Sequence, residues 1–559
     1  MRVLLLEPLN MIGGMGSAGN LALNDGGMNA ERTGLALHFS LINGVHYYGK
    51  KSNRQVPHPE SFVSNATFYT MLKNANFDVH NDLFLGCRIV TVNNDAKKTK
   101  INSIVVTCFS QPITATVFID ASYDGDIMTR SHVDYTFGRE SNQTYNESLA
   151  GARNPGWNGV NGPKNVNPFR SLSLRPSPSQ NQTQTPTLDL SVKNEKSKNR
   201  TLLKYVNSLN DLATVGSADD SLMAFQHRLC ITDNKTNQIK FSTLKPTNYS
   251  RDDFQLLQHA INADQNSSNF FSKMPPSRLP GVPLSIDKYC LCCGITIYST
   301  DNPVLNKGWS NASFSRRNEI IQDHIYFELG SFYYLSTDYM VPPPVRAEFQ
   351  KYGLCADEFE DFQHIPPQLY VRISNRLIGD YVLTQNNIAN PRIKKNSIGV
   401  ADWSFDQHMT NRFAVPIQSP SESLGGSVGG SVVEYEVQLE GNFWPSIVPN
   451  PGNVSDKRLS SNWYDVPYEI MVPKKGTGTN LLVPVALSAS AVAFSSCRIE
   501  NMYMSIGTAA GIASVQLVSG KVNTVQEVNV TKVQEILKDM FQQRIHGPPF
   551  SKSVVHVQK

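Results

Sequence analysis

The chain opens with MRVLLLEPLNMIGGMGSAG, residues 1–19, and the reading of this stretch decides the fold. VLLLE, residues 3–7, is continuously apolar rather than alternating, as in a parallel strand covered on both faces, and it ends in Glu7. A pattern search would stop instead at Gly14–Gly19, which fits G-x-G-x-x-G. In a dinucleotide-binding unit those glycines follow the first strand at once and open a helix whose N-terminal amides hold a pyrophosphate. Here PLNMIG separates them from the strand and NLALNDGG after them is a poor helix, so they are not the cradle of a first strand. Glu7 fits better as the acid at the tip of the second strand of such a unit, where it accepts a hydrogen bond from a ribose hydroxyl. On that reading the stretch is the middle of a motif. The plain alternative, an acid that merely ends a strand, stands unless later segments agree.

A chain of 559 residues is too long for one ordinary domain, so two or three packed units are expected. Lys and Arg number 51 against 47 Asp and Glu, too even a balance to grip nucleic acid or an anionic membrane. Composition therefore argues for a small-molecule substrate and no nucleic acid, and leaves the oligomeric state open. No apolar run reaches the roughly 18 residues of a spanning helix, so no membrane span is expected. No targeting segment is visible either. Among roughly eleven N-x-S/T sequons are those at Asn65, Asn142, Asn146, Asn234, Asn248, Asn311, Asn453 and Asn529. An Asn- and Ser-rich chain produces many by chance, so both a cytoplasmic location and secretion, with an upstream signal peptide lost, stay open. Eight cysteines in so long a chain do not make a disulfide scaffold. Cys290, Cys292 and Cys293 cluster in CLCC, but no second pair follows and no C-x-x-C opens a helix, so buried or idle thiols are expected rather than zinc ligands or a redox pair.

Strand-like runs LFLGCRIVTV, INSIVVTCF and ATVFIDAS between Leu83 and Ser122 predict a small meander and a return to a buried strand. Residues 151–200, rich in Asn, Pro, Ser and Gln, predict a polar insertion or linker. Residues 201–410 mix helical NEIIQDHIYFEL with Pro-broken loops and look like a second domain. Beyond the Gly/Ser stretch SLGGSVGGS and the strand VVEYEVQL comes another buried strand, then a helix from about Met504 whose Gly507, Ala509, Ala510, Gly511 and Ala513 keep one face small. Val533, Ile536, Leu537, Met540 and Phe541 predict a last helix, stopped at Gly547. No repeat of 20 to 50 residues is apparent.

Three long segments, VLLLEPLNMIGGMGSAG, VFIDASYDGDIMTRSHVDYTFGRES and DVPYEIMVPKKGTGTNLLVPVALSASAVAFSSCRIENMYMSIGTAAG, resemble in order and spacing the cofactor side of the FAD-dependent oxidoreductase family. Those flavoproteins have a glutathione-reductase-type fold, and some carry the label xanthan lyase. Between them FQHRLCIT, GLCADEFED and PPQLYVRISNRLIGDYVLTQ resemble the family's substrate side. The resemblance implies an α/β protein: a Rossmann-like FAD-binding domain from residues 1–150 and 411–546, an inserted α+β substrate or cap domain over 201–410, and a tail over 547–559. It also implies a strand, glycine turn and helix ahead of residue 1, so the chain is expected to be an incomplete reading of its gene and to hold FAD less well as written.

The implied roles follow residue by residue. Glu7 holds the adenosine ribose, while Gly13, Gly14, Met15 and Gly16 let backbone pass close to pyrophosphate and flavin. Asp120 and Ala121 end a strand near the adenine, and Asp124, Gly125 and Asp126 turn beside the nucleotide, although each acid also suits a turn or cap. Ser488 and Gly507 line the flavin side, and the late helix aims its positive end at the ring. His408 is the candidate proton carrier and Arg498 the candidate for orienting substrate or flavin. A lone His is more often structural. Arg372 and Arg376 hold an anionic substrate or pair with acids on their helix. Relatives commonly carry His where this chain has Ala491, so one ring-facing imidazole is expected to be lost. The function implied is hydride transfer from a small organic or sugar-derived substrate to flavin. Two other readings stay open: a flavin-free, secreted binding glycoprotein, and a carbohydrate lyase, for which no distinctive constellation is seen.

Overall fold

The computed structural model describes residues 2–23, 33–156, 166–170, 201–263, 277–278, 287–291, 297, 299–389, 394–417, 434–444 and 463–547. Most of the polar insertion, the Gly/Ser stretch, Cys292, Cys293, Asn453 and the tail after Gly547 lie outside the described residues.

The opening apolar run forms a short strand, Leu5–Leu6, in parallel register with Leu83–Phe84. The expected cover on both faces is absent, since Val3 is 49% and Leu5 37% exposed. The cause is that this strand has one hydrogen-bonded neighbour among the described residues. The meander is an antiparallel hairpin of Ile89–Asn94 and Ile101–Val106. Phe118–Ile119 then returns beside Leu481–Leu482 in parallel. Helices and mixed sheets make the chain α/β in the broad sense, although the parallel pairings among the described residues are short.

Two large cores organise the rest. In one, the helix Glu500–Val518 packs Ile506, Ala509, Ala510 and Ala513 with Ile398, Ala401, Tyr464 and Val466 of the antiparallel pair Ser397–Ala401 and Tyr464–Pro467. Its small side chains are what allow that approach, because Gly399 has room for a Cβ only at contact distance, 3.4 Å from Met502 and Ser505. The helix begins one turn before the expected Met504. The last helix, Val530–Asp539, buries Val533 and Leu537, yet it ends before Met540, which is 75% exposed.

The second core lies under a five-stranded antiparallel sheet ordered Ser277–Arg278, Tyr289–Leu291, Leu229–Thr232, Gly353–Cys355 and Gln238–Lys240. The helix Phe314–Thr337, capped by Ser313 accepting the Arg316 amide, packs Phe327, Phe332 and Leu335 against this core. Ala414, Val437 and Leu439, from the antiparallel pair Asn411–Ile417 and Glu434–Glu440, join it.

Two disulfides form among cysteines outside the CLCC cluster. Cys230 and Cys355 stand on neighbouring antiparallel strands, and Cys87 and Cys108 close the open end of the hairpin. Strand register brings each pair together, which spacing in the sequence does not report. Cys290 and Cys497 are buried, and Cys497 carries a free thiol.

Candidate functional site

The stretch after the first strand folds into a tight turn rather than a helix. Gly13 and Gly14 adopt φ of +99° and +53°, and a 3-10 turn spans Gly14–Gly16. Side chains crowd this backbone: a Cβ on Gly13 would stand 2.4 Å from Phe68, and one on Gly14 2.7 Å from the Tyr123 hydroxyl. The Met15 amide donates to Tyr123 Oη at 2.8 Å, and that hydroxyl donates to Glu500 Oε1 at 2.8 Å. Tyr123 thus ties the glycine turn to the first turn of the Glu500–Val518 helix. Glu500, Tyr503, Met504 and Gly507 share one face of that helix by their spacing. The Tyr503 ring stands 6.3 Å from the Tyr123 ring, and Met504 and Phe68 both pack on the cluster of Leu23, Ala36 and Phe39.

The loop carrying Tyr123 is held by Asp120. Its Oδ1 accepts the amide and hydroxyl of Ser122 and its Oδ2 the amides of Ile127 and Met128. Burial pushes its carboxyl up to about 6, against the pull of those donors. Ala121 beside it is exposed. Asp124 accepts Trp309 Nε1 at 2.7 Å, and both Asp124 and Asp126 pair with Arg317 at 3.2 Å. The turn between them needs Gly125, with φ +64° and Met128 filling the space of a Cβ.

A second cluster gathers His408 and Arg498. Arg498 Nη2 meets Asp406 Oδ2 at 3.1 Å, and His408 Nε2 stands 3.4 Å from Asp406 Oδ1. Trp444 Nε1 donates to Asp406 Oδ1, and Trp403 Nε1 to Oδ2 at 3.4 Å. Burial alone would raise this carboxyl, but Arg498 and His408 outweigh it and hold Asp406 well below the usual carboxylate range. On its other side His408 Nδ1 bonds Asp301 Oδ2 at 2.6 Å, and Asp301 Oδ1 pairs with Arg372 at 3.0 Å. Burial and Arg372 push the imidazole pKa down; Asp301 and Asp406 outweigh them and raise it.

Tyr370 joins the two halves. Its hydroxyl accepts Arg498 Nη1 at 2.7 Å, and its ring packs with Met15, Leu21 and Tyr123. The guanidiniums of Arg372, Arg498 and Arg228 lie 4.4, 5.6 and 6.0 Å from the ring centre. The glycine turn, the Tyr123 loop, the Glu500–Val518 helix and the His408–Arg498 pair therefore meet at one junction.

Other predicted residues lie elsewhere or act locally. Glu7 ends its strand with Oε1 accepting the Leu9 amide, and burial pushes its carboxyl up to about 7. The contacts that join the turn to the late helix run through Tyr123, not through Glu7. Ser488 accepts the Gly379 amide and donates to the Tyr381 carbonyl, a backbone clasp. Arg372 and Arg376 are not on a helix: 371–375 is irregular and Arg376 opens the strand Arg376–Leu377, whose backbone pairs antiparallel with Tyr135–Thr136 while the Leu377 amide donates to the Ala486 carbonyl. Arg376 pairs with Glu140 at 2.5 Å, whose other oxygen accepts the Ala491 amide. Ala491 lines a small pocket with Glu140, Gln407 and Phe443.

Sequence reasoning missed Asp406, Asp301, Tyr370, Tyr123 and Glu500. Only Asp406 left a local signal, since it stands two residues before His408 on non-helical backbone and so shares its side of the chain. Among the described residues no group of three His, Cys, Asp or Glu side chains is placed to hold a metal, and no helix is long and apolar enough to cross a membrane.

Residues 1–537 match the model of one protein family, described as FAD dependent oxidoreductase. No curated protein and no solved structure matches.

Proposed function

Because this chain belongs to the FAD-dependent oxidoreductase family, whose cofactor is FAD, we propose that it oxidises a small organic or sugar-derived substrate carrying an anionic group, by hydride transfer to flavin. The observation that carries this reading is the junction itself, where His408 and Arg498 share Asp406 and reach the glycine turn through Tyr370. FAD, when bound, supplies a ring able to accept a hydride.

The residues present fit that group. On the helix face that meets the turn, nothing among the described residues stands within 4 Å of where a Gly507 Cβ would be. In the first turn of the same helix the Asn501 amide is buried, and neither its nitrogen nor its oxygen finds a hydrogen-bond partner among the described residues. We place the ring side there, with Gly13, Gly14, Met15 and Gly16 along the backbone that passes it. Glu7 keeps acceptor capacity for the adenosine ribose, with Asp120 and Ala121 following the separate strand Phe118–Ile119 and the Asp124–Asp126 turn beyond them. Residues 1–150 and 411–546 are then the cofactor side and 201–410 the substrate side.

This chain's own groups divide the remaining work. Asp301 holds His408 Nδ1 at 2.6 Å and Asp406 stands 3.4 Å from Nε2, so the more loosely held Nε2 is the nitrogen that exchanges a proton with substrate. Asp406 fixes that ring and Arg498 together. Arg372 points to the substrate's charge: its guanidinium is fully buried, and its Nε and Nη2 have no hydrogen-bond partner among the described residues. Buried N–H groups of a cation left so are stabilised by an anion that satisfies them.

The test is anaerobic mixing of the flavin-loaded protein with matched pairs, glucuronate against glucose and glycolate against ethanol. Bleaching of the flavin by the acids, with the acids also raising the thermal midpoint and Arg372→Met abolishing that rise, supports the reading. A colourless protein, or equal response to the neutral partners, refutes it.

A further inference from the structure

We propose that this protein carries N-linked glycans at Asn142, Asn146, Asn234, Asn248, Asn311 and Asn529, and that it acquires its two disulfides in the same oxidising secretory compartment. Two independent observations carry the inference. First, the fold sorts the sequons. At each of the six, both the asparagine and the hydroxyl residue two positions on are exposed, the latter being Thr144, Ser148, Thr236, Ser250, Ser313 and Thr531. By contrast Asn65 is half-buried with its side-chain oxygen enclosed, and Thr67 of the same sequon is buried and donates to Asn43 at 2.6 Å. Sequons scattered by chance would not need to lie on the surface, but sequons that hold a bulky glycan must.

The side-chain geometry leaves the reacting atom available. Asn234 uses its oxygen to accept the Thr236 amide and hydroxyl, and Asn529 uses its oxygen to cap the last helix at the Lys532 amide. A sugar bonded to either amide nitrogen leaves those bonds intact. Second, Cys87–Cys108 and Cys230–Cys355 are formed in two separate parts of the fold, and such bridges persist where the surroundings are oxidising.

The chemistry balances with co-reactants of known class. The C1–O bond of a lipid-pyrophosphate-linked oligosaccharide breaks as C1 bonds to asparagine Nδ2, and the amide proton leaves with the pyrophosphate. Each cysteine pair gives up two electrons and two protons to a disulfide-exchange oxidant.

The test uses the full-length protein isolated from its own cells, digested with peptide-N-glycosidase in heavy-oxygen water and mapped by mass spectrometry, with thiols alkylated before reduction. Asn-to-Asp conversion at the six exposed positions, none at Asn65, and protection of Cys87, Cys108, Cys230 and Cys355 are the expected results. An unchanged mass after the glycosidase, conversion at Asn65 without the exposed sites, or alkylation of all four cysteines without reductant would each overturn the proposal.

Discussion

Arg498 Nη2 and Asp406 Oδ2 lie 3.1 Å apart with both side chains buried, joining positions 92 residues apart in the chain. Removing one partner of such a pair leaves the other charge buried and alone, at a cost of roughly 3–5 kcal/mol, whereas replacing both is often near neutral. Asp406→Asn is therefore expected to lower the unfolding free energy by about that amount, and Asp406→Asn with Arg498→Met to recover much of it. A double-mutant cycle in urea reads the coupling directly, and a cycle that shows none would mean the two charges do not depend on each other.

His408 supplies a pH dependence whose sign is fixed by its neighbours. Its folded pKa is raised above 6.5, since Asp301 and Asp406 outweigh burial and Arg372. A folded value above the unfolded one gives stability that is complete below 6.5 and is lost as pH rises through the folded value. His408→Gln should flatten that fall. Asp301→Asn, which removes the negative charge at 2.6 Å, should move it to lower pH. Denaturant unfolding across a pH series measures both.

Tyr123→Phe keeps the ring packed on Met15 and Tyr370 but deletes the hydroxyl that serves the Met15 amide and the Glu500 carboxylate. The buried Met15 amide left without its partner costs roughly 1–3 kcal/mol, and that loss is the expected result in chemical denaturation. Retained FAD should fall in parallel, because the same hydroxyl fixes the glycine turn against the late helix.

Two glycines are expected to respond in opposite directions. Gly13→Ala forces a side chain into φ +99° and toward Phe68, with an expected loss of about 1–3 kcal/mol. Gly507→Ala meets no atom of the described residues within 4 Å and lies inside a helix, where Ala is favoured by roughly 0.5–1 kcal/mol. The apo-protein should therefore be stabilised by Gly507→Ala while its affinity for FAD falls. A variant that gains stability with unchanged affinity would move the flavin away from this face.

Cys355→Ser opens a disulfide that spans 125 residues, against 21 for Cys87–Cys108. The longer loop constrains the unfolded chain more, so losses of roughly 2–5 kcal/mol are expected, the larger for Cys355→Ser than for Cys108→Ser. Thermal melts of the two variants without reductant test the order.

Much of this protein was legible in one dimension because the signals are local. Three long segments named the family, helical stretches pointed to the helices now seen at Phe314–Thr337 and Glu500–Val518, and His408 and Arg498 were singled out by their match to the family's positions. Neither Asp406 as their common partner nor Tyr370 as the link to the glycine turn could be read that way, since hydrogen bonds across 92 and 128 residues leave no periodicity. For the same reason Arg372 and Arg376 were given a helix where strand pairing with Tyr135–Thr136 holds the chain, and four cysteines outside CLCC showed no pairing until strand register brought them together. The sequence by itself determined which chemistry the chain is built for, because cofactor-side segments, helical periodicity and turn glycines are properties of neighbouring residues. Only the tertiary structure decided which charges face one another, because an ion pair is a distance in space and burial, not position in the chain, sets what that distance is worth.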